Sequence, residues 1–115
     1  MAKIYKTQEE VNADVIDNNL IIRGDVSFEF SVKIAGSLIV TEGDIEAWNI
    51  EAAEDIEARN IVAGNIKAGR DIKAEKISFY AVAFAYSGFK CKSIFGRRKN
   101  SKYFCLDSEV EINKL

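Results

Sequence analysis

The feature that most constrains this chain is a run of short repeats in its middle, reading GDIEA, WNIEA, EDIEA, RNIVA, GNIKA and RDIKA. The isoleucines are Ile45, Ile50, Ile56, Ile61, Ile66, Ile72 and Ile77, at spacings of 5, 6, 5, 5, 6 and 5. Any three consecutive steps sum to 16. Alanine follows the first six of them two residues later, at Ala47, Ala52, Ala58, Ala63, Ala68 and Ala74. Residues i and i+2 share one face of a strand, so each unit reads as a very short strand with Ile and Ala pointing the same way. A helix cannot use this pattern, because steps of five and six drift around a 3.6-residue turn and leave no apolar stripe. Three short arms per 16 residues predict a triangular coil. Stacked coils put Ile on Ile and Ala on Ala, as in a parallel β-solenoid.

The polar positions test this reading. A 16-residue stack places Glu51 over Lys67, Glu54 over Arg70, Glu57 over Lys73 and Arg59 over Glu75, all opposite in charge. Asn49 falls over Asn65, predicting an amide ladder, and Asp55 falls over Asp71. Two stacked aspartates repel, unless they sit at a corner where a carboxylate accepts backbone N–H groups. Upstream, Leu20/Ile22, Val26/Phe28, Val32/Ile34 and Leu38/Val40 are apolar pairs six residues apart, so three arms make an 18-residue coil. The expected fold is all-β: a single domain built on a short parallel β-helix with triangular coils of 16–18 residues. Residues 20–84 form about four coils and residues 1–19 an N-terminal cap. Residues 85–115 form capping strands and a basic turn. Thr7-Gln8-Glu9-Glu10 matches a capping box and predicts a short helix over 7–17. Phe79, Tyr80, Phe84, Tyr86, Phe89, Phe95, Tyr103 and Phe104 are bulky enough to close the C-terminal end. Ser101–Phe104 and Val110–Ile112 read as strands, and Gly96–Asn100 as an exposed turn.

The stretch LIIRGDVSFEFSVKIAGSLIVTEGDIEA, with corners at Gly24-Asp25, Gly36-Ser37 and Gly43-Asp44, resembles bactofilins, the polymer-forming bacterial cytoskeletal proteins. The Ile-x-Ala array with its aromatic, basic C-terminal end also resembles small solenoid proteins carried by phages and prophages. The first resemblance implies a right-handed β-helix and self-assembly through the coil ends. The second implies a small module that binds a host protein.

Composition narrows the chemistry. There is no histidine, which removes the commonest general base and metal ligand. Cys91 and Cys105 are too few for a zinc site or a disulfide scaffold, and read as small apolar thiols. No cofactor and no catalysis is expected; Glu46, Glu51 and Glu57 read as solvated repeat positions. No apolar run approaches a membrane span or a signal-peptide centre, so a soluble cytoplasmic protein is expected.

Charge is the remaining clue. Glu42, Asp44, Glu46, Glu51, Glu54, Asp55 and Glu57 fall between residues 41 and 58 with no intervening base. Lys90, Lys92, Arg97, Arg98, Lys99 and Lys102 fall in a stretch without acids. Three functions follow as expectations. In the first, an acidic face of Glu42, Asp44, Glu46, Glu51, Glu54 and Glu57, with Trp48 as an exposed anchor, blocks a nucleic-acid-handling or defence protein, as a phage-type inhibitor would. In the second, the chain self-assembles through its coil ends or C-terminal segment, as bactofilins do. In the third, the basic turn 96–102 touches nucleic-acid phosphates.

Overall fold

A computed structural model describes residues 3–106 and 111–112. Long strands β3 (Val26–Ile34), β5 (Asp44–Ala52), β7 (Asn60–Ala68) and β9 (Lys76–Ala85) alternate with short ones, β2 (Leu20–Arg23), β4 (Leu38–Thr41), β6 (Ile56–Glu57), β8 (Asp71–Lys73) and β10 (Gly88–Cys91). β1 (Lys3–Tyr5) and helix α1 (Gln8–Asp14) precede them; β11 (Ser93–Gly96), β12 (Lys102–Cys105) and β13 (Glu111–Ile112) follow. The long strands, flanked by β1 and β11, stack in parallel as β1-β3-β5-β7-β9-β11, with β12 also on β9, and the short ones as β2-β4-β6-β8-β10-β13. The result is a parallel β-solenoid of about five turns.

Each long strand carries two of the expected arms. In β5, Ile45 and Ala47 face inward, as do Ile50 and Ala52, but Trp48 and Asn49 between them both face out. A straight strand alternates strictly, so the chain turns a corner there. The register against the next coil shifts at that same column, after Phe28 in β3 and after Ala63 in β7. The cross-section is thus a triangle. The N-terminal halves of the long strands form a first side, their C-terminal halves a second side, and the short strands a third.

The repeat arithmetic is reproduced in the register. Leu20 pairs with Leu38 and Leu38 with Ile56, a step of 18; Ile45 pairs with Ile61 and Ile61 with Ile77, a step of 16. Ile45, Ile56, Ile61, Ile66 and Ile72 are fully buried in a continuous core with the repeat alanines. Burial of each isoleucine contributes about 1.5–3 kcal/mol.

Side-chain oxygens tie the corners together. Asn19 Oδ1 accepts from Ser37 N–H (2.8 Å), Ser37 Oγ from Asp55 N–H (3.1 Å), and Asp55 Oδ1 from Asp71 N–H (3.0 Å). The stacked aspartates are therefore explained by a carboxylate that accepts the N–H above it. The expected asparagine ladder takes the same form: Asn49 Oδ1 accepts from Asn65 N–H (2.9 Å) and Asn65 Oδ1 from Val82 N–H (3.1 Å). Glu51 and Lys67, and Glu57 and Lys73, stand opposite one another as expected. Arg59 and Glu75 stack but take other partners, Arg59 pairing with Asp44 (3.1 Å) and Glu75 with Lys92 (3.1 Å). Arg59 thus reaches the neighbouring column, where Asp44 stands, and Glu75 reaches Lys92 one coil further along its own column.

The two ends differ. Thr7 caps α1 with the reciprocal Glu10 contact of a capping box, and Val11 seals the core beneath the first coil. β1 pairs with the first half of β3, and the Gln8 side chain bonds both Lys33 N–H (3.0 Å) and Lys33 C=O (2.7 Å) in the second half. Gln8 thus stands in for a strand at that edge. At the other end the coils do not stop at residue 84. β10 pairs with β8, and β11 and β12 pair with β9, all in parallel; β13 pairs with β10. The segment expected to cap the solenoid is a further coil of it. Val110, part of an expected strand, lies outside the described residues.

Candidate functional site

The acidic residues do not share a face. Glu46 points out from the first side, Glu51 from the second and Glu57 from the third, with Trp48 and Glu54 at the corners between. Glu42 sits at the third corner, with φ at 57°, and pairs with Arg23 at 2.9 Å. The run spans one coil's length, so it encircles the axis. Asp44 is occupied by Arg59 and by Asn60 Nδ2 (3.1 Å). What the structure keeps together is Glu46 and Trp48, which border a shallow recess with Ser27 and Glu29. Trp48 is 66% exposed. Gly64 lies above it, because a Cβ there would stand 2.5 Å from the Trp48 carbonyl oxygen.

The basic residues are dispersed too. Lys90 faces out from the third side, and Lys92 pairs with Glu75 at the corner between the third and first sides. Arg97 lies back along the first side, donating from Nη1 to Ser78 Oγ (3.1 Å) and from Nη2 to the Ala63 carbonyl (2.9 Å). Arg98 and Lys99 occupy the expected exposed turn. Lys102 stands on the second side with its ammonium 5.9 Å from the Phe104 ring centroid.

The aromatic residues divide by parity. Phe79, Phe89 and Tyr103 face inward, with Tyr103 edge-on to both phenylalanines at 6.2 and 6.3 Å. They fill the last coil of the core. Tyr80, Tyr86, Phe95 and Phe104 face out, and Phe84 is half-buried against Phe104 at 5.0 Å. Bulk alone makes all of them candidates to close the end. The i, i+2 rule applied from Ala83 and Ala85 would have placed Phe84 and Tyr86 outside.

Among the described residues three titratable groups are shifted, Arg59 upward by its hydrogen bond to the Asp44 carboxylate. Burial pushes the Tyr5 phenol far above its usual range, reinforced by its hydrogen bond to Asp14 Oδ2 at 2.7 Å. Burial likewise raises the Cys91 thiol, consistent with a small apolar role. Among the described residues no three His, Cys, Asp or Glu side chains are grouped to hold a metal ion. No helix among them is long and apolar enough to cross a membrane. No family model, curated protein or solved structure matches the chain.

Proposed function

We propose that this is a non-catalytic β-solenoid that works by protein contact, joining two copies through its C-terminal coil. The carrying observation is the asymmetry of the ends. α1, β1 and Gln8 cover the N-terminal end on two sides. At the C-terminal end, β11 and β12 are the last described strands on their sides, and Tyr103 is 37% exposed above Phe79 and Phe89. An edge strand over an incompletely covered core favours pairing with another chain. Among the described residues one end is left open, and one open end supports a closed, two-fold pair, whereas a filament needs two. The reading therefore shares end-to-end contact with the bactofilin resemblance and stops short of a polymer. Light scattering behind size-exclusion chromatography tests it, with a concentration-dependent dimer expected. Ile94→Lys places a charge on the inward face of the edge strand β11 and should return the protein to a monomer. A wild-type monomer at every concentration would refute the proposal.

A second reading keeps the phage-type inhibitor, reduced to the Glu46–Trp48 corner. A large exposed aromatic beside a carboxylate is the composition of a binding hot spot for a basic groove. Trp48→Ala should abolish capture of such a partner without changing the circular dichroism spectrum; unchanged capture would remove this reading.

A further inference from the structure

Coil stacking assembles one surface that no stretch of sequence displays. On the second side, three segments far apart in the chain come into adjacent rows. The first row, on β7, presents Asn65 and Lys67, with Arg70 at the following corner. The second, on β9, presents Val82 and Phe84, with Tyr86 at the same corner. The third, on β12, presents Lys102 and Phe104, followed by Leu106, whose N–H bonds Tyr86 C=O. Lys67 pairs in register with Phe84, and Phe84 with Phe104, so a cation and two aromatic rings form one column.

The surface is apolar in the middle and cationic around it. Leu106 is largely exposed, Tyr86 is about half exposed, and Phe104 is 39% exposed. Lys67 and Arg70 bound it below, Lys102 crosses it, and the exposed turn with Arg98 and Lys99 adjoins it at the corner between the first and second sides. Among the described residues these three rows contain no carboxylate. Glu51 lies one coil lower, opposite Lys67, and Glu54 lies one coil below Arg70, so both mark its border. Among the described residues, the acids thus fall away from the place where the outward aromatics Phe84, Tyr86 and Phe104 gather.

We propose that this surface is a platform for single-stranded nucleic acid, with bases stacked on Phe84, Tyr86 and Phe104 and phosphates held by Lys67, Arg70 and Lys102. Rings on a sheet face with cations beside them are the combination that takes single strands without reading sequence, since every base has a stacking face. Outward residues two apart on a strand are separated by about 6.7 Å and coils by about 4.8 Å, so the platform spans two or three nucleotides. A duplex keeps its bases stacked on one another and can offer only its phosphates. The platform shares β12 with the end contact proposed above but uses its outward side chains, whereas the end contact uses its edge, so either can hold without the other.

The test is fluorescence anisotropy of a labelled 12-nucleotide oligothymidylate against the full chain, at several salt concentrations. Binding should weaken with salt, with a slope of about −0.7 for each phosphate contacted. Phe104→Ala should lower affinity roughly fivefold to a hundredfold, the loss expected for one stacked base. Lys67→Ala with Arg70→Ala should flatten the salt slope by about 1.4 and leave the fold unchanged, which keeps the test decisive if Phe104→Ala fails to fold. Lys73→Ala and Lys90→Ala, on the third side, should change neither affinity nor slope beyond experimental scatter. The proposal is overturned by no binding at low salt, or by equal losses from the third-side variants. It is also overturned by a duplex or polyphosphate competing as well as the single strand. Displacement of the oligonucleotide by an acidic aromatic peptide that binds more tightly would overturn it in favour of a protein partner.

Discussion

Arg97 gives the sharpest prediction, because two readings of it differ in a measurable way. As part of a basic turn it would be a free phosphate ligand, and its loss would leave stability untouched. The structure instead folds it over the first side, spanning the sheet from the last coil to Ala63, with two donated bonds of 3.1 and 2.9 Å. Between β7 and β9 the register advances two residues from Ala63 to Asn65 but three from Phe79 to Val82. The guanidinium therefore fastens the last coil beside a bulge, where the ladder is interrupted. Hydrogen bonds to a charged group contribute about 1.5–3 kcal/mol when buried. Arg97 is exposed, so solvent recovers much of this, and Arg97→Ala should cost about 1–2 kcal/mol. For a chain of 115 residues that lowers the melting temperature by roughly 4–8 °C. Urea unfolding followed by circular dichroism measures the loss, and amide hydrogen exchange should localise it to β11 and β12. Arg97→Lys should recover less than half, because an ammonium lacks the fork that serves both acceptors. An Arg97→Ala variant within about 0.3 kcal/mol of wild type would refute the strap and return Arg97 to the surface charges.

Three further outcomes follow from packing and protonation. Ile61→Ala, in the middle of the fully buried Ile45–Ile61–Ile77 column, should cost about 2–5 kcal/mol in urea unfolding, while Val62→Ala on the outer face should stay within about 0.5 kcal/mol. Gly69→Ala should cost about 1–3 kcal/mol or more, since its Cβ would stand 2.0 Å from the Ala53 carbonyl oxygen and a backbone atom between coils cannot swing aside; a neutral result in the same assay would mean the coils separate easily. Stability should fall at alkaline pH. The native Cys91 and Tyr5 values are both raised, so the unfolded chain releases protons first. The loss begins above the ordinary thiol range near pH ~8.5 and steepens above the phenol range near ~10. Thermal melts across this range should show Tyr5→Phe losing the second, steeper part.

Much of the fold could be read from the residues alone. The Ile-x-Ala spacing yields the arms, the coil lengths, the inward residues and the corner stacking of Asn49 on Asn65 and Asp55 on Asp71, all recovered in the register. Thr7 and Glu10 announced the helix that closes the first coil. The end of the solenoid was not readable, because the last coil departs from the repeat. Tyr103 takes the position below which Ala83 and Ile66 stand, and the step to it from Ala83 is 20 residues. No periodicity survives there, and only parallel pairing with β9 shows that the coil continues.

The inside of this protein follows from the order of its residues alone. Hydrophobic periodicity states which side chains leave water, and with a repeat this short that leaves one architecture. The surface was decided by the tertiary structure. A run of residues as long as a coil goes once around the triangle, so the contiguous acids of 42–57 end on three sides and the bases of 90–102 around the last turn. A face is made instead of residues 16 to 20 positions apart, brought within one strand spacing by the stack, as Lys67, Phe84 and Phe104 are.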